Sequence, residues 1–437
     1  MSNFVFSSDE RSLPRPSARV VPALLYGGSP PRSGTVCIGS PVLRAVSRLG
    51  LEADETAFDL LTIALAVTAG DTFSDRSEAA DGWVREISLT IPLHDPGRWG
   101  AATPVLQQAL NFLSGDNWNI QLTAGGPEAP LPQKRGTKIV STVGHDCVSL
   151  FSGGLDSAVG VLDLVANGKR PLLVSHTYRG DSQRQASIHA KLPGHLSRFG
   201  TSLNPRSLLD TPNDVQMRTR SFNFLAFGAL AAATMARHGI TPGPVTLYVP
   251  ENGLIALNPP LTPRRIGALS TRTTHYHYLS LIQDILRMVG IPVVLENPYQ
   301  LSTKGEMMRK CLDQKTLARI APETVSCGKW KRKRIQCGKC VPCLIRRSSF
   351  LASGMKDKTK YGAGNDLNAV LAKASGHDDL LAMMLACQAM PTVNIGQWIA
   401  KTGPLPLQRG YRDGLVKVAE KGMKEVRQYL RAEGVPV

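Results

Sequence analysis

The residues best suited to chemistry form a short glycine-rich stretch at 151–157. An apolar run precedes it and a run with helical spacing of apolar residues follows it, which predicts a strand, a tight turn and a helix. Two adjacent glycines let the backbone turn sharply, and the start of a helix adds free N–H donors and partial positive charge. The stretch therefore predicts an anion site, most simply for phosphate. Its residues are Phe151, Ser152, Gly153, Gly154, Leu155, Asp156 and Ser157.

The acidic residue in this stretch indicates a cation. A carboxylate beside an anion site is unfavourable unless a cation lies between the two charges, so Asp156 is assigned to Mg²⁺. The hydroxyl groups of Ser152 and Ser157 can donate hydrogen bonds to phosphate oxygens. The lysine of a P-loop is missing, which argues against transfer of a γ-phosphate. An ordinary glycine turn before a helix is the alternative interpretation.

A second candidate site is a cluster of four of the eight cysteines, spaced C-x9-C-x2-C-x2-C. Two-residue gaps let a tight turn direct successive thiolates at one point, and four thiolates complete a tetrahedral zinc site. A [4Fe–4S] cluster also takes four cysteines and stays the alternative, although the basic flanks favour zinc. In a cytosolic protein such a cluster indicates metal binding rather than disulfides. The predicted ligands are Cys327, Cys337, Cys340 and Cys343.

Length and composition bound the class of protein. The 437 residues suffice for two or three domains, and 42% hydrophobic with 19% charged residues is typical of a soluble globular protein. No apolar run reaches the roughly eighteen residues of a membrane span. A signal peptide is not recognisable, so a cytoplasmic location is expected. The net charge of +17 predicts anionic ligands, either nucleotides or nucleic acid.

The sequence around the glycine-rich stretch predicts the frame that positions it. Strand-like runs at 147–151, 171–176, 245–249 and 292–295 alternate with helical patterns. This alternation predicts an α/β fold in which a parallel sheet carries helices on both faces. Ligands then bind at the carboxyl ends of the strands, where the stretch lies.

Composition divides the chain into four predicted parts. Residues 1–35 carry Ser, Pro, Arg and Gly without a period and are expected to be irregular. Residues 36–130 mix helical and strand patterns, which predicts a small α+β module whose acidic residues lie on the solvated surface. After a linker rich in Gly and Pro, residues 138–350 are predicted to form the nucleotide-binding domain and residues 351–437 a helical C-terminal extension.

The string Ser-Gly-Gly-Leu-Asp-Ser at 152–157 resembles the pyrophosphate-binding loop of the PP-loop ATPases, also called N-type ATP pyrophosphatases. The resemblance implies a HUP-like core, cleavage of ATP between the α- and β-phosphates, and adenylation of a substrate oxygen. The loop alone does not choose among the members of this superfamily.

Further motifs resemble those of 7-cyano-7-deazaguanine synthase, the QueC family. A T-x-S-C…C-G-x-C-x-x-C pattern spans 324–343, and a T-K-x-E segment spans 303–306. Arg220 stands four residues before a Phe-Leu pair that begins a helix in the family. Together with the glycine-rich loop, these motifs follow the family's order over about residues 145–350, in a core with a zinc-binding loop.

The QueC resemblance also implies a reaction and roles. ATP adenylates 7-carboxy-7-deazaguanine and releases pyrophosphate, and an amine then displaces AMP. With ammonia the product is an amide, and a second adenylation yields the nitrile. Arg220 and Lys304 are candidates to stabilise the α-phosphate or the carboxylate, and Glu306 is a candidate base or a partner for Lys304. For each of these three a surface ion pair is the alternative. The implied catalytic set is Asp156, Arg220, Lys304 and Glu306, with ATP, Mg²⁺ and Zn²⁺.

The chain departs from QueC in several places. A basic insert at 329–334 fills the first cysteine gap, Ser221 stands where the family has asparagine, and the regions outside the core are additional. This layout resembles the QueC-like component of bacterial antiphage defence systems, of the Qat type (QatC) or of type IV CBASS. That resemblance implies a protein partner from a defence operon, whose amine would replace ammonia and receive the deazaguanine.

Two other functions stay open at this stage. A tRNA-modifying PP-loop ATPase of the thiolation type fits the positive charge. However, a sulfur carrier needs a reactive cysteine, and only Cys147 is close to the loop. A non-catalytic, zinc-containing nucleic-acid-binding protein is the alternative from another class. The insert at 329–334 is where a nucleic-acid or acidic protein partner is expected.

Overall fold

Two largely parallel sheets, each covered by helices, form the frame of the computed structural model. The α/β class predicted from the sequence is confirmed. Position 138, where the predicted nucleotide-binding domain begins, and positions 331–333 of the basic insert lie outside the described residues. The structure describes residues 2–134, 136, 139–177, 181–210, 218–262, 272–330, 334–364, 366–373 and 375–437.

The N-terminal part of the chain builds the first sheet. Its five strands pair in parallel. The first strand in the chain lies between the second and the fourth. Parallel pairing makes this region α/β, whereas the sequence predicted an α+β module, because a strand's own alternation does not reveal its pairing partner. The strands are β1 (Ser2–Ser7), β2 (Val21–Gly27), β3 (Val36–Gly39), β4 (Glu86–Pro92) and β5 (Asn117–Thr123), in the spatial order β5-β4-β1-β2-β3.

The prediction of an irregular segment at 1–35 is wrong, because β1 and β2 lie within it. β1 occupies the middle of the sheet and buries Phe4 and Phe6, so it contributes directly to the core. Ser, Pro and Arg residues between the two strands dominate the local composition. A prediction based on composition therefore misses two short strands.

The core sheet contains five parallel strands, and the strand that leads into the glycine-rich stretch is its central member. All four residues of that strand are buried, as expected for a parallel sheet with both faces covered. The third strand in the chain order was not predicted, because it is short and half polar. The strands are β6 (Cys147–Leu150), β7 (Pro171–His176), β8 (Arg198–Thr201), β10 (Val245–Tyr248) and β11 (Val293–Glu296), in the spatial order β11-β10-β6-β7-β8.

Most of the helices up to residue 320 pack directly on these two sheets. One of them, α6, packs on the core sheet and also against α2 of the first sheet, so the two sheets share a helical layer. The helices are α1 (Val42–Ser47), α2 (Glu55–Phe73), α3 (Thr103–Ser114), α4 (Leu155–Ala166), α5 (Ser182–His189), α6 (Arg220–Arg237), α7 (Gly253–Leu257), α8 (Tyr276–Met288), α9 (Lys304–Lys310) and α10 (Gln314–Ile320).

Helix α2 is long and apolar enough to cross a membrane by length and composition alone. However, 94% of its apolar window is buried against the rest of the protein. This burial is typical of the core helix of a soluble protein.

The C-terminal region is helical, as predicted, and has its own apolar cluster. The last helix packs on α7 and α9, whose N-termini border the candidate site. A Cβ at Gly253 of α7 would lie 2.6 Å from Val418, so the two helices approach closely. The helices are α11 (Val341–Ser353), α12 (Leu367–Leu371), α13 (Asp378–Ala389), α14 (Ile395–Ala400) and α15 (Arg409–Ala432).

A short strand from the later part of the chain joins the two sheets. This strand, β9 (Arg206–Ser207), pairs antiparallel with β3 at the edge of the first sheet. Backbone bonds from Gly34 and Gly39 to the carbonyls of Leu208 and Leu203 extend the contact, at 2.9 and 2.7 Å. The first sheet is therefore completed by residues that follow β8 of the core sheet.

Candidate active site

The glycine-rich stretch forms the predicted turn between β6 and α4, with Gly154 as the N-cap of the helix. Gly153 has a φ of +77°, in the left-handed region that residues with side chains rarely adopt. A Cβ at Gly153 would lie 3.1 Å from Gln185. Position 153 therefore requires glycine on both conformational and steric grounds.

The two serines of the turn face one another. Their hydroxyl oxygens are 3.2 Å apart, and Ser152 Oγ accepts a hydrogen bond from the N–H of Gly154 at 3.2 Å. Ser157 Oγ donates to the carbonyl oxygen of Gly154 at 3.0 Å. Hydroxyl groups and backbone N–H groups thus gather at the N-terminus of α4, where an anion is stabilised.

The carboxylate of Asp156 is buried and lies 2.7 Å from the Nζ atom of Lys304. Burial alone would raise the pKa of Asp156. The charge of Lys304 and hydrogen bonds from the surrounding side chains outweigh burial and lower that pKa to about 2. The structure thus brings together two of the residues predicted to be catalytic, and Asp156 is ionised at neutral pH.

Asn252, which the sequence did not single out, fixes the other oxygen of Asp156. Its side-chain Nδ2 donates to Asp156 Oδ2 at 2.7 Å, and its backbone N–H donates to the same oxygen at 3.2 Å. Its Oδ1 accepts from the N–H of Ile255 and so caps α7. Both oxygens of Asp156 therefore already have partners, and a Mg²⁺ ion would have to share them.

Glu251 is a second carboxylic acid at this place, and it was also missed. Asn252 Nδ2 donates to its Oε1 at 3.0 Å. Burial and the neighbouring charge of Asp156 raise the pKa of Glu251 well above its ordinary value. The pKa values of the two acids are thus shifted in opposite directions, so that Glu251 holds a proton and Asp156 does not. The available signal was its position two residues after the predicted strand at 245–249.

Another part of the wall of the site comes from the start of α6. Arg220 is the first residue of the helix, and its guanidinium lies 3.2 Å from the carboxylate of Asp181. Arg218, two residues earlier, is a further buried cation that the sequence did not single out. Burial and the charge of Arg76 lower the pKa of Arg218 to about 10, so it stays protonated at neutral pH.

These groups surround one cavity of about 550 Å³, a volume suited to a nucleotide-sized ligand. Glu251, Arg184 and Arg218 also contribute to its lining. Among the described residues, the predicted site residues that do not line it are Phe151, Gly153, Glu306, Cys337, Cys340 and Cys343. The predicted residues that do are Ser152, Gly154, Leu155, Asp156, Ser157, Arg220, Lys304 and Cys327.

Glu306 faces away from the cavity. It forms a capping box with Thr303 at the start of α9, and its carboxylate lies 2.9 Å from Nζ of Lys421. It does not pair with Lys304, whose ammonium contacts Asp156 instead. These contacts favour a structural role over the predicted role as a base or as the partner of Lys304.

The four predicted cysteine ligands converge at the rim of the cavity, with their Sγ atoms all within 4.8 Å of one another. The pairs Cys337–Cys343 and Cys327–Cys340 have S–S distances of 3.9 Å. A tetrahedral zinc ion with Zn–S bonds of about 2.3 Å requires about 3.8 Å. The N–H of Cys337 also donates to Cys327 Sγ, as thiolate ligands require. The cluster therefore fits zinc.

The described part of the basic insert borders a second cavity. The guanidinium of Arg184 lies 3.8 Å from the ring centre of Trp330, and both residues line this cavity and the first. Lys329 pairs with Asp379 of α13 at 3.3 Å, so the insert also contacts the C-terminal region.

Comparison with known proteins gives a consistent but partial match. No family model matches the chain. A 7-cyano-7-deazaguanine synthase of Methanoregula boonei is 26% identical over 235 residues, and one of Acinetobacter baylyi is 22% identical over 231 residues. Each alignment covers 49% of this chain and 98% or 94% of the relative, respectively. About half of the chain is thus similar to nearly complete synthases, which supports a QueC-like family.

Proposed function

We propose that this protein is a QueC-like enzyme that uses ATP to activate the carboxylate of 7-carboxy-7-deazaguanine and then replaces oxygen by nitrogen. The cavity carries the proposal, because the glycine-rich turn, the Asp156–Lys304 pair, Arg218 and Arg220 all line it. The phosphates of a nucleotide need hydrogen-bond donors, and a deazaguanine that carries a carboxylate needs a cation beside that carboxylate. The named synthases to which the chain is similar support this substrate class.

The turn is proposed to hold the pyrophosphate part of ATP. Ser152, Ser157 and the N–H of Gly154 supply its donors, and Lys304 adds positive charge at the same wall. Asp156 and Glu251, two of the three carboxyl groups that line the cavity, would hold Mg²⁺, which neutralises charge on phosphate oxygens when bound. Arg220 is proposed to stabilise the α-phosphate or the carboxylate, in place of its contact with Asp181.

The proposed reaction balances in two stages. A carboxylate oxygen attacks the α-phosphorus of ATP, and pyrophosphate leaves; the amine nitrogen then attacks the carbonyl carbon, AMP leaves, and the amine loses a proton. With ammonia this gives the amide. A second ATP adenylates the amide oxygen and releases pyrophosphate, and departure of AMP with loss of both N–H protons gives the nitrile. Arginine donors stabilise the negative charge that develops on phosphorus.

The cysteine cluster is proposed to bind structural zinc that supports the turn. The N–H of Val325, two residues before the first ligand, donates to the carbonyl oxygen of Gly153 at 3.2 Å. Four protein ligands close the coordination sphere, so the ion offers no open position to a substrate. Metal analysis of the purified protein is expected to find one zinc per chain, and Cys340→Ser is expected to lose it.

The direct test follows the products formed from ATP and 7-carboxy-7-deazaguanine by mass spectrometry, with and without ammonia. We expect AMP, pyrophosphate and an amide or nitrile from the wild type. Lys304→Met should form none of them, while Lys421→Met, an exposed lysine, serves as the matched control. A folded, zinc-loaded wild type that leaves this base unchanged would contradict the proposal.

A more specific version places the enzyme in the cytoplasm and in antiphage defence, with an amine of a partner protein as the acceptor. Its support is that the alignments with synthases cover about half of the chain, while the structure adds an N-terminal sheet and C-terminal helices to the core sheet. The test is mass spectrometry of proteins encoded beside this one, incubated with enzyme, ATP and the base. An amide-linked deazaguanine on a partner is expected; free nitrile alone argues against this version.

The second cavity favours one alternative, a nucleic-acid substrate. Its lining includes Arg184, Arg334, Lys358 and Lys360 beside Trp330, a basic and aromatic combination suited to a phosphate backbone and a base. Thiolation is less well supported, because Cys147 is buried in β6 and burial raises the pKa of its thiol. Adenylation of tRNA in place of the free base would favour this alternative.

A further inference from the structure

The start of α6 is held by a residue of the N-terminal region. Thr219 is the N-cap of α6, yet its hydroxyl makes no capping bond to its own helix. Both its N–H and its hydroxyl donate instead to Asp71 Oδ2 of α2, at 2.8 and 2.9 Å. The residue directly before Arg220 is therefore fixed by a buried carboxylate from the other sheet.

Asp71 is itself held by a buried network of charges. Its Oδ1 lies 2.5 Å from Nη2 of Arg85, which also contacts Asp116 Oδ2 at 2.6 Å. Arg76 binds both oxygens of Asp116, at 2.8 and 3.0 Å. Paired charges with several hydrogen bonds define one geometry, because any displacement leaves a buried charge without its partner.

Further residues on both sides of Arg220 in the chain are fixed by the same region. The guanidinium of Arg218 lies 4.5 Å from the ring centre of Trp83, and its Nη1 donates to the carbonyl oxygen of Ser114 at 2.8 Å. One turn further along α6, the side chain of Asn223 donates to Thr68 Oγ1 of α2. The N-terminal sheet therefore fixes α6 both before and after Arg220.

We propose that Asp71 and Thr219 are positioning residues, which act through Arg220 to hold it towards the anion in the cavity. The proposal rests on the proposed function in one respect, namely that Arg220 binds the reacting anion. It gives the N-terminal region a specific task, since the half of the chain that is similar to synthases does not account for the whole.

The test is a double-mutant cycle between Thr219 and Arg220. Thr219→Val removes only the hydroxyl bond and is expected to lower kcat/KM for AMP release about 10-fold, because a buried bond to a carboxylate is lost. Thr219→Ser keeps the hydroxyl and should stay within about 2-fold of the wild type. In an Arg220→Ala background, Thr219→Val should have almost no further effect, because the residue acts through the missing side chain.

Matched controls separate positioning from general damage. Asp284→Asn removes an exposed i, i+3 pair on α8 and should leave kcat/KM unchanged. Asp71→Asn should resemble Thr219→Val in its dependence on Arg220, with thermal unfolding recorded for every variant. Equal effects of Thr219→Val with and without Arg220, or failure of Thr219→Ser to restore activity, would overturn the proposal.

The same cycle is measured on the equilibrium affinity for ATP. If the wild type binds ATP but leaves 7-carboxy-7-deazaguanine unchanged, the proposed substrate is wrong, and the dependence of ATP affinity on both residues still decides the positioning role. Coupled losses of affinity support it, and additive losses contradict it.

Discussion

Two buried clusters of charge differ in a way that separates chemistry from architecture. The site cluster consists of Asp156, Glu251 and Lys304, and the brace cluster consists of Asp71, Arg76, Arg85 and Asp116. Within these sets the brace cluster balances two acids with two bases, whereas the site cluster has two acids and one base. The site cluster also opens into the cavity, and the brace cluster lies between packed elements.

The difference shows how the same kinds of residue serve different ends. A network with equal numbers of acids and bases and several hydrogen bonds has one low-energy arrangement. Its charged groups already have partners, so it binds little else. An excess carboxylic acid forces one group to keep its proton, as the raised pKa of Glu251 and the lowered pKa of Asp156 indicate. An excess of acids over bases of this kind is typical of a site in which a ligand supplies the missing positive charge or hydrogen bonds.

The largest effect is expected from Lys304→Met in the site cluster. Asp156 would keep its buried charge without its cation, so we expect AMP release to fall by about 1000-fold or more. The free energy of unfolding should fall by about 3 kcal/mol. Denaturant unfolding and product assays measure the two effects, and activity within 10-fold of the wild type would break the comparison.

Asp116→Asn in the brace cluster should affect stability more than chemistry. Arg76 and Arg85 would lose their shared carboxylate, and the free energy of unfolding should fall by about 3 kcal/mol. Activity per folded molecule should fall far less than in Lys304→Met, since the cavity is not touched directly. A greater loss of activity than in Lys304→Met, measured at a temperature where both variants are folded, would contradict the distinction.

The stabilisation that Asp116 of the brace cluster provides should depend on pH. Burial alone would raise the pKa of Asp116, but hydrogen bonds and charge from Arg85 and Arg76 lower it below its ordinary value. A lowered pKa means that the stabilisation is complete above about pH 4, the unfolded value, and is lost as pH falls through the folded value. Asp116→Asn should therefore differ most from the wild type at neutral pH, and the difference should shrink below pH 4.

The smallest effect is expected just outside the cavity, from Glu306→Gln. The amide can still accept the capping bond from Thr303, but the partly exposed pair with Lys421 loses its charge. The free energy of unfolding should fall by no more than about 1 kcal/mol. AMP release should stay within about 2-fold, and a loss of 100-fold would restore the predicted role of Glu306 as a base.

The sequence revealed those parts of the site that are local along the chain. A strand, a glycine turn and a helix within 147–166 follow from periodicity, and four cysteines within 327–343 follow from spacing. The proximity of Lys304 to the turn was implied by family resemblance, and the structure places its ammonium on Asp156.

The parts that the sequence did not reveal depend on contacts between distant segments. Glu251 and Asn252 reach Asp156 only because β10 lies beside β6 in the sheet, and strand order is not visible in periodicity. The acidic residues of the first module were expected on the surface, but Asp71 and Asp116 are buried. Their arginine partners come from other segments, so no local pattern identified the pairs.

The strand β9 has a consequence for how the chain can be made. During synthesis, β3 leaves the ribosome long before residues 206–207 exist, and its outer edge has no partner until then. A fragment ended in the linker after residue 123 would keep that edge open and would also leave the carboxylate of Asp71 without Thr219. The N-terminal region is therefore not a detachable appendage: by itself it would keep an open, aggregation-prone sheet edge, and a core without it would lose the carboxylate that holds Thr219.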